Sequence, residues 1–351
     1  MNRRKRKTAV ICMLAVLLLT SCKTATESPA KSEKVKNEKL KIGITFDTFV
    51  LERWTRDRDI FVSTAQKMGA QVDVQNANGD VEKQERQIQQ FISEDVDTIV
   101  VVPVDCYALS NVVTQARNKG INVISYDRLL QGAGTDLFIT VDSVRVGELM
   151  AETMKEKLPG GGDIIIIGGP EEDTNSVDVI NGLKSGLEGS NLKIVSESYA
   201  KSWASENGFQ AVSEAFQDIR EFDAVMCGND GLAGFAIKAL SEQQLAGKIV
   251  VTGQDADLEA CQRIVEGTQT MTVYKPIEEQ ARIAAECAVK MAKGEEAIGE
   301  LVGWSQYSEN EKGNEIPYYG LEPVSVTAEN IDKIIIDSGF HVRNEVYLNV
   351  D

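Results

Sequence analysis

The stretches TIVVV at residues 98–102 and DIIIIGG at residues 163–169 are almost unbroken runs of β-branched residues. A strand exposed on one face alternates apolar and polar residues, whereas a strand covered on both faces is apolar throughout. Strands covered in this way are typical of parallel sheets with helices on both sides. The two stretches therefore predict an α/β protein.

Eight further short apolar runs accompany these two, and stretches with helical spacing lie between them. The predicted strands are residues 40–46, 71–75, 98–102, 122–126, 138–141, 163–167, 192–196, 224–227, 249–252 and 270–274, and the clearest predicted helices are residues 59–68, 81–92, 146–157, 206–216 and 278–293. Strand–helix alternation over this length predicts a doubly wound α/β architecture. A break near residues 132–143 divides the alternation into two batches, which predicts two sheets.

The first 21 residues read as an export signal. Five positive charges at residues 3–7 precede an apolar stretch at residues 9–19 that is too short to span a bilayer. This stretch ends in LTSC at residues 19–22, which resembles the bacterial lipobox, where small residues precede a cysteine that receives a diacylglyceryl group. We expect Cys22 to carry the lipid. The alternatives are an ordinary secretory signal with an incidental cysteine and a transmembrane anchor.

Residues 22–39 are polar, with Val35 as their only large aliphatic residue. Such a segment cannot bury enough apolar surface to offset its ordering entropy, which predicts a flexible tether. A tether behind a lipid anchor predicts a domain that faces the periplasm or the cell exterior at a membrane.

The chain is acidic, with a formal net charge of −17, and loss of the five positive charges of the signal lowers this to −22. This charge argues against nucleic acid or an anionic membrane surface as a partner. The about 310 residues after the tether suffice for two compact domains. His341 is the single histidine, which argues against hydrolases with a histidine base and against histidine-rich metal sites. We expect neither a cofactor nor a metal.

Four cysteines remain after the tether, at positions 106, 227, 261 and 287, and none forms a C-x-x-C motif. A zinc ribbon or a thioredoxin-type site is therefore not expected. Cys106, Cys227 and Cys287 lie among apolar or helix-forming residues, which favours buried free thiols over the alternative of a disulfide.

Polar and aromatic residues recur directly after the predicted strands. They include Arg53, Trp54, Asp127, Arg128, Trp203 and the loops at residues 170–175, 228–230, 253–257 and 274–276. In doubly wound sheets, ligands bind beyond the carboxyl ends of the strands. Carboxylates, amides and cations pair with sugar hydroxyls, which both donate and accept, and indoles stack on the apolar ring faces. The set as a whole favours a sugar site.

Each of these residues has a simpler explanation when taken alone. An aspartate after a strand is often a helix cap, a lone tryptophan is often core, and Arg53 lies in a charged stretch that suits a solvated face. GGP at residues 168–170 weakly suggests phosphate binding, but no G-x-G-x-x-G or Walker sequence accompanies it. The sugar hypothesis therefore depends on recurrence at equivalent positions.

From residue 41 onward the chain resembles the periplasmic sugar-binding proteins of the ribose/galactose type, which have the type I periplasmic-binding-protein fold. Within that family it is most similar to the D-xylose-binding members of ABC transport. The stretches that carry the resemblance are LERWTRDRDIF (51–61), NANGD (76–80), LSNVV (109–113), YDR (126–128), GQDADL (253–258) and GTQTMTVYKP (267–276).

The resemblance implies two Rossmann-like lobes with parallel sheets, joined by a three-segment hinge. The N-terminal lobe would comprise residues 40–141 plus 277–320, and the C-terminal lobe residues 142–276 plus 321–345. The hinge crossings would lie near residues 141–142, 273–276 and 321–324. Closure of the lobes would trap the sugar.

The resemblance also implies the residues that bind the sugar. The hydroxyl partners would be Arg53, Asp127, Arg128, Asp173, Asn175, Asn229, Asp255 and Lys275, and the stacking faces would be Trp54 and Trp203. The protein would be a monomeric binding protein, not an enzyme, that delivers D-xylose to an ABC permease.

Several alternatives stay open at this point. Residues 48–50, 142–143 and 170–176 depart from the family pattern, which leaves glucose, arabinose and ribose as alternative sugars. The same trap could serve a membrane chemoreceptor or a histidine kinase instead of a permease. An exported glycosidase would need two opposed carboxylates, for which Asp173 and Asp255 are candidates. The lactose-repressor class shares the fold but carries an N-terminal DNA-binding segment, where this chain has a signal and a tether.

Overall fold

The computed structural model describes residues 39–297, 307–309 and 315–350, so the expected signal, Cys22 and all but the last residue of the tether lie outside the described residues. The strands are β1 (Lys41–Phe46), β2 (Gln71–Asn76), β3 (Thr98–Val101), β4 (Asn122–Tyr126), β5 (Leu137–Val141), β6 (Gly162–Gly168), β7 (Leu192–Tyr199), β8 (Ala224–Cys227), β9 (Val250–Thr252), β10 (Thr272–Tyr274), β11 (Tyr307–Glu309), β12 (Glu315–Leu321) and β13 (Val324–Val326). All ten predicted strands are confirmed, with ends that differ by at most three residues.

The helices connect the strands in the order expected of an α/β fold. They are α1 (Glu52–Lys67), α2 (Val81–Ser93), α3 (Ser110–Asn118), α4 (Ser143–Lys157), α5 (Thr174–Gly186), α6 (Glu206–Asp218), α7 (Asp230–Glu242), α8 (Leu258–Val265), α9 (Ile277–Ala292) and α10 (Arg343–Val346). None of the helices in the described part of the chain is long and apolar enough to cross a membrane.

Two sheets form the framework. The first has the order β11-β12-β5-β4-β3-β1-β2 and is parallel except for β11, and the second has the parallel order β7-β6-β8-β9. An isolated bridge between Thr252 and Met271 continues the second sheet toward β10, which pairs with β13. When the strands of each sheet are numbered separately in chain order, both sheets contain the doubly wound order 2-1-3-4-5. In sheets of this order, ligands bind at the carboxyl ends of the strands.

Each sheet has apolar side chains on both faces, as the sequence predicted. In the first sheet, Ile44 and Val100 pack with α1 and α9, while Ile99 and Val101 pack with α2 and α3. The second sheet is covered in the same way by α4 and α5 on one face and by α6 and α7 on the other. The core thus fixes the strands, and the loops at their carboxyl ends are the part of each sheet where a ligand site is expected.

The chain passes between the sheets three times. It leaves β5 for α4 at residues 141–143, leaves β10 for α9 at residues 274–277, and leaves β12 for β13 at residues 321–324. The sequence did not predict β12, because its Pro317 and Gly320 are unfavourable to strands.

Helix α1 begins seven residues earlier than the periodic pattern predicted. Its first turns bury Arg53, Trp54 and Asp57, so two of the three buried positions are charged and the apolar periodicity is hidden. This early start brings Arg53 and Trp54 to the edge of the first sheet.

Candidate functional site

One cavity lies where the carboxyl ends of the strands from both sheets face each other. It contains about 310 Å³ of space free of protein atoms, part of it open to solvent. All ten expected ligand residues line it: Arg53, Trp54, Asp127, Arg128, Asp173, Asn175, Trp203, Asn229, Asp255 and Lys275. Loops that follow seven different strands thus meet around one space.

The Arg53 guanidinium, in the first turn of α1, is buried among three carboxylates. Its Nη2 donates to Asp127 Oδ2 at 2.7 Å and lies 3.5 Å from Asp57 Oδ1, and its Nη1 lies 3.9 Å from Asp255 Oδ1. Burial would lower the pKa of Arg53, but Asp127 and Asp57 outweigh burial and raise it. Arg53 is therefore a fixed cation at the cavity wall.

Arg128, which follows β4, pairs with a carboxylate on each side of the cavity. Its Nη1 donates to Asp47 Oδ2 at 2.7 Å, and its Nε lies 2.7 Å from Asp173 Oδ2. Asp47 follows β1 of the first sheet, whereas Asp173 follows β6 of the second. Burial raises the pKa of both carboxyl groups, although the charge of Arg128 partly opposes this.

Asp127 is a second point where the two sides meet. Asn175, from the second sheet's side, donates through Nδ2 to the Oδ1 and to the carbonyl oxygen of Asp127, both at 3.0 Å. Burial would raise the pKa of Asp127, but Arg53, Lys275 and Arg128 outweigh it and hold that pKa below its usual range. Asp127 is therefore an ionised acceptor.

Asp173 and Asn229 each cap a helix and also line the cavity. Asp173 Oδ1 accepts the backbone N–H of Asn175 at 3.0 Å at the start of α5, and Asp173 Oδ2 accepts Nε1–H of Trp203 at 3.1 Å. Asn229 Oδ1 accepts the N–H of Leu232 at 2.9 Å at the start of α7. The Asn229 Nδ2 is then the group that can donate to a ligand. Asp173 and Asn229 can therefore each cap a helix and face a ligand at the same time.

Three cavity residues have left-handed backbone conformations that side-chain-bearing residues rarely adopt. The φ angles are 67° at Asp127, 57° at Trp203 and 103° at Asp255. Each such conformation costs on the order of 1–3 kcal/mol, and strain of this kind clusters at functional sites. Lys275 Nζ lies 2.6 Å from Asp255 Oδ1 and helps to hold that carboxylate in place.

The two cavity tryptophans are held in different ways. Trp54 is 1% exposed, and the guanidinium carbons of Arg53 and Arg128 lie 4.3 and 5.7 Å from its ring centroid, within cation–π range. Trp203 lies against main chain, because a Cβ at Gly169 would come within 2.1 Å of its Cη2. The sequence predicts that the ring of Trp54 stacks on the sugar. It does not predict the two arginines that lie over this ring.

A larger second cavity, with about 940 Å³ of space free of protein atoms, lies on the outer side of this site and is partly open to solvent. Arg128, Asp173 and Trp203 line both cavities and form the wall between them. Thr48 and Pro170 line the outer cavity and not the inner one. Parts of two loops that depart from the family pattern therefore border the outer cavity.

Sequence reasoning missed several residues of the site. Leu51 and Gln254 also line the inner cavity. Gln254 stands directly before Asp255 in a quoted motif, so its position after a strand could have identified it. Behind the cavity, Gln280 Nε2 donates to Asp127 Oδ2 at 3.3 Å. No local signal marks Gln280, because it lies in the first turn of α9 and meets Asp127, from which it is distant in sequence.

The described residues contain no group of three or more histidine, cysteine or acidic side chains able to hold a metal ion. His341, the only histidine of the chain, is buried, and its Nε2 lies 2.8 Å from the carbonyl oxygen of Ala256. Cys106, Cys227 and Cys287 are buried free thiols, as the sequence favoured, and Cys261 is also buried, with its Sγ 3.6 Å from the carbonyl oxygen of Ala256.

Comparison with known proteins agrees with this geometry. The family model described as "Periplasmic binding protein domain" matches residues 42–296. The D-xylose-binding periplasmic protein of Haemophilus influenzae is 40% identical, with 95% of this chain and 98% of that protein covered. The D-xylose-binding periplasmic protein of Escherichia coli is 38% identical, with 94% and 98% covered.

A solved structure shows the same fold. It is an ABC transporter solute-binding protein from Clostridium phytofermentans with bound β-D-glucose, 28% identical, with 87% of this chain and 99% of that chain covered and a TM-score of 0.78. The resemblance stated from the sequence is thereby confirmed. The chain belongs to the periplasmic binding protein family, in its group of ribose- and galactose-type sugar-binding proteins.

Proposed function

We propose that this protein is an extracytoplasmic solute-binding lipoprotein that captures a monosaccharide, D-xylose, and delivers it to an ABC transporter permease. It would act as a monomeric binding protein without catalysing a reaction on the sugar. The supporting observation is the inner cavity, where ten polar and aromatic residues that follow strands of both sheets line one space.

The chemistry of the cavity supports a polyhydroxylated, uncharged ligand. The cations Arg53, Arg128 and Lys275 each already lie within 2.7 Å of a carboxylate oxygen, so the wall carries donors and acceptors in near balance. Buried pairs of this kind suit hydroxyl groups, which donate and accept, better than they suit a net charge. A site that pairs every hydroxyl also penalises a wrong stereoisomer, because a buried partner then lacks its hydrogen bond.

The choice of D-xylose is supported by the two relatives named for that sugar, which match at 40% and 38% identity over nearly the whole chain. Six of the ten expected ligand residues lie in the stretches that carried the resemblance: Arg53, Trp54, Asp127, Arg128, Asp255 and Lys275. Asp173 and Asn175 lie in the departing loop at residues 170–176 and also line the inner cavity. Thr48 and Pro170, from two departing loops, line the outer cavity instead. The six residues in the matching stretches support D-xylose, and the loop at residues 170–176 is where the choice of sugar could differ.

Binding would work by closure of two lobes, residues 40–141 plus 277–320 and residues 142–276 plus 321–345. The pairs Arg128–Asp173 and Asp127–Asn175 would form only in the closed state, since each joins the two lobes. A sugar that contacts both lobes stabilises the closed state by its differential affinity. The inner and outer cavities would then join when the lobes open.

The anchor would be a lipid on Cys22, with the tether holding the domain near the membrane. This part of the proposal rests on the LTSC stretch and the export signal. Replacing Cys22 with serine should move the protein from the detergent phase to the aqueous phase in detergent partitioning. Equal partitioning of the two forms would contradict the anchor.

The central test is a calorimetric screen of pentoses and hexoses on residues 39–351, which form one compact unit. We expect D-xylose to bind more tightly than D-glucose, L-arabinose and D-ribose, with a change in tryptophan fluorescence from Trp54 and Trp203. Absence of heat and of a fluorescence change with every sugar would contradict sugar capture. Tighter binding of another sugar would contradict the assignment of D-xylose as the ligand, but not the capture of a sugar.

A further inference from the structure

Behind the cavity lies a buried pair, Asp57 and Tyr126, that lines neither cavity. We propose that Asp57 and Tyr126 are positioning residues that hold the Arg53 guanidinium in its sugar-binding orientation. This inference rests on the proposed function, because it assigns Arg53 a ligand that the guanidinium must face.

The contacts form a chain that starts in the core and ends at the cavity. The hydroxyl of Tyr126 donates to Asp57 Oδ1, and the same oxygen lies 3.5 Å from Arg53 Nη2. Asp57 comes one helical turn after Arg53 on α1, and Tyr126 is the last residue of β4. Because helix and strand are both rigid, the two groups fix the rear of the guanidinium.

The other two carboxylates near Arg53 pull it in a different direction, while Gln280, whose Oε1 accepts from Arg53 Nη2 at 3.3 Å, is a neutral partner that lines neither cavity. Asp127 and Asp255 are both cavity residues and attract the guanidinium toward the ligand space. Trp54 supports the plane of the guanidinium, whose carbon lies 4.3 Å from the ring centroid. Asp57 is therefore the one carboxylate, of those within 4 Å of Arg53 in the described chain, that holds it from outside the cavity.

Asp57 is poorly suited to a purely structural role. Its side chain is 1% exposed, and its Oδ2 has no hydrogen-bond partner among the described residues. Burying a carboxylate with one oxygen unpaired lowers stability, so an apolar or neutral residue would pack there at less cost. A buried charge at such a position is better explained by what it does to Arg53.

The protonation of Asp57 gives two effects of opposite sign. The charged groups that face it are Arg53 and Asp127, and the neutral Tyr126 hydroxyl donates a hydrogen bond to it. Burial raises the pKa of Asp57 to about 6, against the opposing charge of Arg53. Because the folded state binds this proton more tightly than the unfolded chain, the contribution of Asp57 to stability increases as pH falls through 6. Its hold on Arg53 weakens over the same range.

The test compares Asp57→Asn with wild type, using D-xylose as the probe in calorimetry and thermal unfolding to measure stability. Asparagine keeps the shape and still accepts from Tyr126, but it lacks the charge. We expect about tenfold weaker binding at pH 7.5, as for a lost charge-assisted hydrogen bond, with an unfolding temperature no lower than that of wild type. The affinity of wild type should fall as pH drops from 7.5 to 5.5, and that of the variant should change less.

Two further variants make the outcome decisive. Tyr126→Phe removes the donor to Asp57 and should weaken D-xylose binding by about threefold. This variant also tests the proposal if Asp57→Asn does not fold. Asp136→Asn makes the same chemical change in an Asp–Arg pair, with Arg117 at 2.8 Å, away from the cavity, and should leave affinity unchanged.

Each other result overturns the inference. If Asp57→Asn and Tyr126→Phe bind within twofold of wild type, Asp57 does not position Arg53, and the proposed function stands. If Asp57→Asn loses affinity only together with its unfolding temperature, the role is structural. If wild type binds no sugar, the proposed function fails and this inference fails with it.

Discussion

The two walls of the inner cavity are built by different means. On the side of the first sheet, the cations Arg53 and Arg128 are held by side chains of the same sheet, through Asp127 and Asp47 at 2.7 Å each. On the side of the second sheet, three site residues are held by main chain: Asp173 and Asn229 cap helices, and Trp203 lies against Gly169. Asp255 and Lys275, at 2.6 Å, form an ion pair on this side.

This difference predicts how each wall responds to change. A wall held by buried ion pairs loses much when one partner is removed, because the other charge is left unpaired. A wall held by main chain tolerates changes of charge better but is sensitive to small changes of shape. Substitutions on the two sides can therefore break or sharpen the comparison.

The largest effect is expected at Asp127. Asp127→Ala leaves Arg53 without its closest carboxylate and also removes one of the two acceptors of Asn175. We expect a loss of about 3–5 kcal/mol in unfolding free energy, as for other broken buried pairs, and at least about a hundredfold loss of D-xylose affinity. Chemical denaturation and calorimetry measure the two quantities.

Asp136→Ala is the matched control, since its pair with Arg117 is partly exposed and such pairs contribute about 0–1 kcal/mol. A small effect of Asp127→Ala, similar to that of the control, would show that the first wall does not depend on its ion pairs.

An intermediate effect is expected at Gly169 in the second wall. Gly169→Ala places a Cβ within 2.1 Å of Trp203 Cη2 and so displaces the indole without changing any charge. We expect about tenfold weaker binding and about 1–3 kcal/mol lower stability, as for overpacking. Gly160→Ala serves as the control, because a Cβ there meets nothing within 4 Å. Normal affinity in Gly169→Ala would mean that Trp203 does not need its present position.

The smallest effect is expected where the walls touch outside the inner cavity. Cys106, on the first wall, is buried with its Sγ 3.8 Å from Thr174 Oγ1 of the second wall, and burial raises the pKa of its thiol to about 12. If the walls separate without sugar, D-xylose should slow labelling of Cys106 by a thiol reagent several-fold, since it stabilises the closed state. The Cys106→Ser variant shows which part of the labelling comes from Cys106. A labelling rate that is the same with and without D-xylose would contradict opening at this contact.

The fold could be read from the sequence where burial leaves a clear pattern. Eight of the ten predicted strands are largely buried, and their apolar composition follows directly from cover on both faces. The other two, β2 and β7, lie at sheet edges and are only partly buried. The missed strand β12 contains Pro317 and Gly320, so its position depends on pairing with β5, which is distant in sequence. The first turns of α1 were missed because charged residues occupy its buried face.

The cavity lining could be predicted because strand ends of a doubly wound sheet must converge. The residues behind the lining could not. Three residues act on the site through contacts between elements, two of them far apart in the chain: Asp57, Tyr126 and Gln280. In the sequence, Asp57 cannot be distinguished from the other charged residues of a solvated stretch. Only tertiary packing separates a buried acid from an exposed one.

The late entry of β12 into the first sheet has a consequence for folding. Tyr318 pairs with Phe138, so the edge of a sheet formed mainly by the first third of the chain waits for residues near the C-terminus. Contacts of such long sequence separation slow folding, because loop closure must precede them. The first sheet can therefore be completed only when almost all of the chain has been synthesised.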